Sequence, residues 1–214
     1  MSDTTVIIKT IGRKSVREAI ASAKREGFTT HVVSDGVWFP PDQSEGTIEG
    51  ADSYTKLGRR WGYYGGMAAN VGAALAETEF ITFLDDDDEF APGAGEIIRK
   101  KLREKTDVDV WVGGVRFNQE ININGPDGDV VSCSRDLCMS GDLGVTPGNV
   151  CMPTYRTSIF SKIPFTNSVP LDEQNLTDFH HIRACCMGGY RLDWFGGLIY
   201  LVRPVVGGVN GGGR

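Results

Sequence analysis

Residues 80–91 read Phe-Ile-Thr-Phe-Leu-Asp-Asp-Asp-Asp-Glu-Phe-Ala, an apolar run that empties directly into four aspartates. Phe80–Leu84 is short, aromatic and β-branched, the composition of a strand covered on both faces. Asp85, Asp86, Asp87 and Asp88 repel one another unless a cation or proton sits among them. Strands covered on both faces belong to α/β sheets, and open sheets of that class bind ligands at the carboxyl ends of their strands. Carboxylate oxygens are hard ligands that suit Mg²⁺ or Mn²⁺. Mg²⁺ typically takes about one or two carboxylates and completes its shell with substrate phosphates. The alternative is a solvated acidic loop, the fate of most charge runs.

At 214 residues the chain is long enough for one domain with a sizeable core. Its net charge of −6 argues against nucleic acid or an anionic membrane surface as the main partner. No stretch approaches the ~18 apolar residues of a membrane span. Met1–Thr5 runs into Val6-Ile7-Ile8 with no basic region or cleavage site, so the expectation is a cytoplasmic protein without signal peptide or membrane segment. Cys133, Cys138, Cys151, Cys185 and Cys186 are irregularly spaced and odd in number, as expected of reduced thiols.

The first half alternates strand and helix. Val6–Lys9 is a strand, and Ser15 with Glu18 forms a capping box that opens a helix closed by Gly27. His31–Ser34 is a second strand that delivers Asp35 and Gly36. Residues 36–66 lack periodicity and read as a long loop, a type more often functional than idle. A helix over 67–76 leads into the 80–84 strand, and another covers 95–105. Beyond it, a strand from Val108 breaks at Gly113-Gly114, and the turn signal at 124–128 predicts a hairpin over 115–133. A last helix spans roughly 176–187, ended by Gly188-Gly189, with strands at 190–194 and 198–202. The βαβαβ pattern implies a nucleotide-binding half over 1–92, followed by a substrate-side half over 93–205 and a flexible glycine-rich tail at 206–214.

Several blocks together resemble family 2 glycosyltransferases of the GT-A fold, a Rossmann-like α/β fold with a mixed central sheet that uses nucleotide-diphosphate sugars. Val6–Arg13 resembles the first strand and loop, which hold the nucleoside through residues such as Thr10 and Arg13. Val32–Gly36 is similar to the second strand, whose terminal aspartate, here Asp35, meets the base. Ala69–Pro92, with Asn70 at its start, matches the central block and its acidic DXD-type motif. Asn149–Arg156 and Phe160–Phe165 resemble the segments before the acceptor site. Thr177–Leu192 resembles the late block, which sets Asp178 where inverting members carry a catalytic base, a role that competes with capping the helix it opens.

The resemblance implies a soluble transferase moving a sugar from a UDP-sugar to a saccharide or other hydroxyl acceptor, with Mn²⁺ or Mg²⁺ as cofactor. Asp87 is then the direct metal ligand, while Asp85 and Asp86 serve the metal's water shell and the donor ribose. In some GT-A enzymes a late histidine ligates the metal, which would fall to His181; otherwise, His180 and His181 are one surface and one core residue. Asp35 either accepts the imide N–H of uracil or is a turn aspartate before Gly36. Arg60, with Lys56 and Arg59, either pairs with the diphosphate or is solvated. Trp38, Trp61, Tyr63 and Tyr64 stack on a sugar or base, or close the loop over the core. Two other classes stay open. A nucleotidyltransferase would carry a glycine-rich basic loop after the first strand, where Thr10–Ser15 has only Gly12 with Arg13 and Lys14. A Ca²⁺-binding module needs about six to eight oxygens, which adjacent side chains cannot supply together.

Overall fold

The computed structural model describes residues 3–36, 48–62, 65–117, 153–166 and 177–203. The chain order is β1 (Thr4–Thr10), α1 (Val16–Arg25), β2 (Thr29–Ser34), β3 (Ser53–Lys56), α2 (Gly66–Leu75), β4 (Phe80–Asp85), β5 (Glu89–Phe90), α3 (Ala94–Glu104), β6 (Val110–Phe117), β7 (Thr154–Arg156), α4 (Thr177–Met187) and β8 (Leu192–Val202). A short 3₁₀ turn, Thr157–Ser161, follows β7. The strands form one mixed sheet in the order β3-β2-β1-β4-β7-β6-β8-β5. β3, β2, β1 and β4 run parallel, so all four present their carboxyl ends at one edge. β7 is antiparallel to both β4 and β6.

Every residue of β1 is buried, because helices cover both faces of the sheet centre. The chain leaves β1 through α1 towards β2, then returns through α2 to β4 on β1's other side. Right-handed crossovers taken in opposite directions put α1 and α2 on opposite faces. β1 and β4 therefore flank the point where the winding reverses, which opens a crevice at their carboxyl ends.

Local chemistry explains most boundaries. α1 ends in a glycine-closed turn: Gly27 N–H donates to Lys24 O and Phe28 N–H to Ala23 O, so orphan carbonyls are satisfied. Its start departs from expectation. Ser15 already has helical backbone angles and makes no side-chain cap bond, so the capping box does not form. The long 36–66 loop contains β3, too short and polar to show a period. β6 does not break at Gly113-Gly114 but continues to Phe117, with its register to β8 shifted there. The expected 190–194 and 198–202 strands are one strand, β8. The 124–128 turn, Trp38, Tyr63, Tyr64, Cys133, Cys138, Cys151 and the tail lie outside the described residues. Cys185 and Cys186 are buried free thiols.

α2 sits on the sheet at a contact that only a hydrogen side chain allows. A Cβ on Gly72 would lie 2.4 Å from Ile7 Cγ2 and 3.2 Å from Val33 Cγ2. Alanine normally gains roughly 1 kcal/mol over glycine inside a helix. Here Gly72→Ala is expected to destabilise the chain by about 1–3 kcal/mol, since Ile7 is fixed in the sheet centre. Urea unfolding midpoints measure the difference.

Candidate active site

The aspartate run leaves β4 at the crevice, and the alternation of the strand divides its carboxylates. Asp85 is the register partner of Lys9 on β1, so both side chains emerge on the α2 face. Lys9 Nζ lies 2.9 Å from Asp85 Oδ1. Asp86 turns the other way and is 3% exposed. It accepts hydrogen bonds from Thr10 Oγ1 (2.6 Å), Ile11 N–H (3.1 Å) and Arg13 Nη1 (2.7 Å). Asp86 thus ties the β1–α1 loop to the end of β4, and its oxygens face that loop and not open crevice. Arg13 Nη1 also reaches Asp87 Oδ2 at 3.0 Å.

Asp88 is buried and held from β8. Its carboxylate accepts the backbone N–H of Arg203 (3.0 Å) and the hydroxyl proton of Tyr200, whose oxygen in turn accepts Asp85 N–H (2.9 Å). The Arg203 guanidinium donates to the carbonyls of Asp87 (2.9 Å) and Ser15 (3.4 Å) and pairs with Glu89 at 3.3 Å. One arginine late in the chain therefore clamps the whole acidic turn.

α4 supplies the opposite wall. His181 stacks on Phe165 (centroids 4.2 Å) and Phe160 (4.8 Å), next to Phe83 and Tyr155. Its Nε2 lies 2.8 Å from Ile163 O and its Nδ1 3.1 Å from Tyr155 Oη. This corrects the metal role expected of His181: both ring nitrogens are engaged and the ring is a core element that docks α4. Burial also lowers its pKa to about 4, so it stays neutral. Phe83 shares Asp85's face of β4, so α4 docks on that face too. One helical turn before His181, Asp178 lies on the same side of the helix. It is half-buried, within electrostatic reach of Lys9 and Asp85. His180, beside it, is partly exposed, with its ring Nε2 buried.

Other expected residues have structural partners. Asn70 bonds both ways with the backbone of Phe165, donating to its carbonyl (2.9 Å) and accepting its N–H (2.8 Å). It joins α2 to the segment under α4, and its amide is spent on that join, not held out to a donor. Asp35 accepts the N–H groups of Trp61 and Gly62, both at 2.8 Å, and so fastens the loop after β3 to the end of β2. Gly36 has φ +72°, and a Cβ there would sit 2.1 Å from the Arg59 carbonyl carbon, which makes glycine obligatory. Arg60 is exposed on this loop, and Arg59 lies 3.8 Å over the Trp61 ring.

The sequence profile described as glycosyl transferase family 2 matches residues 5–194. The chain belongs to that family. Solved structures similar in fold include S. aureus TarS 1–349 in complex with UDP-GlcNAc: TM-score 0.65, 18% identity, covering 95% of this chain and 59% of that one. TarS 1–349 without that ligand gives 0.63 and 18%, over 94% and 60%. The mannosyltransferase PcManGT from Pyrobaculum calidifontis, in complex with GDP-Man and Mn²⁺, gives 0.61 and 16%, over 96% and 58%. The chain therefore spans about three fifths of the TarS fragment and of PcManGT. No curated protein sequence matches it. The fold is the expected GT-A type, α/β with a mixed sheet.

For this family 2 chain the carboxylates themselves test whether a divalent cation fits. Asp85 and Asp87 keep 41% and 28% of their side-chain surface exposed, whereas Asp86 is closed off. Burial raises the Asp87 pKa, opposed by Arg13 and reinforced by Asp85 and Asp86. Burial, then Asp85 and Asp87, raises Asp88 to about 8. The cluster thus carries more negative charge than Lys9 and Arg13 settle, and a hard cation fits Asp85 and Asp87. Among the described residues no three His, Cys, Asp or Glu side chains form a cage, so other oxygens must complete a shell.

Sequence reasoning missed Lys9, Tyr200 and Arg203. Lys9 had a signal: a lysine following three apolar strand residues must be paired if buried. Tyr200 and Arg203 had none, because their partners lie over a hundred positions away.

Asp88 also makes stability depend on pH. Its folded pKa of about 8 exceeds the ordinary aspartate value of ~4, so the folded chain holds this proton more tightly. That contribution is full below pH 4 and is lost as pH rises towards 8. Asp88→Asn, which keeps an acceptor but never ionises, is expected to flatten the decline in urea midpoint between pH 5 and 8 in EDTA. An unchanged slope would show that Asp88 is ionised throughout.

Proposed function

We propose that this chain is a metal-dependent glycosyltransferase that moves a sugar from a UDP-sugar to an acceptor hydroxyl, inverting the anomeric carbon. The observation that carries it is the β1–β4 crevice, where partly exposed Asp85 and Asp87 leave β4 and Asp178 of α4 lies within electrostatic reach of Asp85. The UDP-GlcNAc of TarS and the GDP-Man and Mn²⁺ of PcManGT support a nucleotide-sugar donor. We place residues 1–92 on the donor side and 93–205 on the acceptor side of one catalytic domain, acting in the cytoplasm. Among the described residues no helix is long and apolar enough to cross a membrane.

In this scheme Asp85 and Asp87 hold Mn²⁺ or Mg²⁺, which supplies charge compensation for the departing diphosphate. Arg13, at the same strand edge, pairs with a phosphate oxygen once the cation takes its place on Asp87. Asp35 keeps lone pairs for the N3–H of uracil beside the bonds that fix the loop. Asp178 accepts the proton of the attacking hydroxyl. Burial and Asp85 raise its carboxyl to about 6 against the pull of Lys9, which suits a base working near neutrality.

Two measurements test this. UDP is expected to raise the melting temperature far more with Mn²⁺ than with EDTA, because phosphate oxygens complete the shell. Asp87→Ala should abolish the Mn²⁺-dependent part with the fold intact. Equal stabilisation in EDTA would sink the metal role.

Asp178→Asn keeps the size of the side chain but cannot take a proton. It should cut UDP release in the presence of acceptor by ~10² or more while leaving UDP affinity within about threefold. In the unaltered chain kcat should fall as pH drops below about 6, where Asp178 protonates, and level off above it. A product that retains the donor's anomeric configuration would exclude this mechanism.

A further inference from the structure

Lys9 lies at the centre of the sheet, only 7% exposed, where a charge must be matched. The β1–β4 register sets it opposite Asp85, with Nζ on Oδ1 at 2.9 Å, which leaves Oδ2 for a cation. Its stem is confined along its length: a Cβ on Gly65 would meet Lys9 Cδ at 3.0 Å and Cβ at 3.3 Å. Asp178 reaches the same face from α4, because His181 anchors that helix on the Phe83 cluster. Lys9 Nζ pairs directly with Asp85 and lies within electrostatic reach of Asp178. Without a cation between them these two carboxylates repel each other.

We propose that Lys9 is a positioning residue for glycosyl transfer: its ammonium holds Asp85 on the donor side and Asp178 on the acceptor side at a fixed separation. This rests on the transferase assignment and deepens it. Transfer requires the attacking oxygen to be placed within a fraction of an ångström of its line of approach, and an error of about 1 Å can cost ~10² in rate. Lys9 takes no proton and touches no reacting atom. It sets where Asp178 stands relative to the carboxylate that binds the donor's cation.

The test uses the full chain and two variants. Lys9→Met keeps the stem and removes the charge; Lys9→Arg keeps the charge. Asp85 is 41% exposed, so water can solvate it in Lys9→Met and the fold should survive. Calorimetry measures Mn²⁺–UDP binding. Turnover is followed as hydrolysis of whichever member of a UDP-sugar panel the unaltered chain cleaves fastest. There a water oxygen bonds to the anomeric carbon, the bond from that carbon to the diphosphate oxygen breaks, UDP departs, and the water's proton passes to Asp178.

For Lys9→Met the expected result is Mn²⁺–UDP affinity equal to the parent or tighter, donor KM within about threefold, and kcat lower by roughly tenfold to a hundredfold. Lys9→Arg should recover part of kcat. A lower melting temperature with unchanged kcat would overturn the proposal, leaving Lys9 a structural counter-ion. So would parallel losses of kcat and Mn²⁺–UDP affinity, which would make Lys9 part of the donor site. Should Lys9→Met fail to fold, Lys9→Gln takes its place in the same comparison. If the unaltered chain neither binds Mn²⁺–UDP nor hydrolyses any panel member, the transferase assignment itself fails, and this proposal with it.

Discussion

The parallel pairing of β1 with β4 places everything else at the crevice. It sets Lys9 opposite Asp85 and leaves Thr10 and Arg13 beside Asp86. The pleat sends Asp85 to the face of Lys9, whereas Asp86, in the turn just past β4, faces the β1–α1 loop. Asp86 is spent on structure, while Asp85 and, past the turn, Asp87 stay partly open. A slip of one residue in this register would exchange their roles. β1 is buried along its whole length and β4 at all but its last residue, which holds the register in place.

Around this pairing, polar groups do the work of fastening loops. Asp86 holds the β1–α1 loop, Asp35 the loop after β3, Asn70 the segment under α4, and Arg203 the acidic turn. Each joins segments distant in sequence, and most use both ends of their hydrogen-bonding capacity. Buried groups of this kind are costly when unpaired, so they define one loop arrangement instead of several. The aromatic cluster of Phe83, Phe160, Phe165 and His181 does the same by packing, since it seats α4 and with it Asp178.

The electrostatics of the crevice follow from burial. Lys9 pairs with Asp85 and Arg13 with Asp86 and Asp87, and Asp87, Asp88 and Asp178 all have raised pKa values with burial as the leading cause. Asp87, Asp88 and Asp178 therefore hold a proton more tightly than exposed carboxylates do. The same burial that strains the cluster brings Asp178 to a range useful for proton transfer.

Much of this was legible from residues alone. The Phe80–Leu84 run ending in aspartates, the alternation of strand and helix through residue 105, and the block around Asp178 are local patterns, and local patterns follow from backbone periodicity. Three things depended on tertiary structure. His181 looked like a ligand, yet its ring fills a core built from Phe83, Phe160 and Phe165. Asn70 and Asp35 looked like donor contacts, yet each bonds a backbone segment that no nearby residue foretells. Lys9 drew no notice, because its importance lies in what stands opposite it on β4. Composition and period belong to neighbouring residues and are written in the chain. Which carboxylate meets which cation depends on strand register and helix docking, which exist only once the chain has folded.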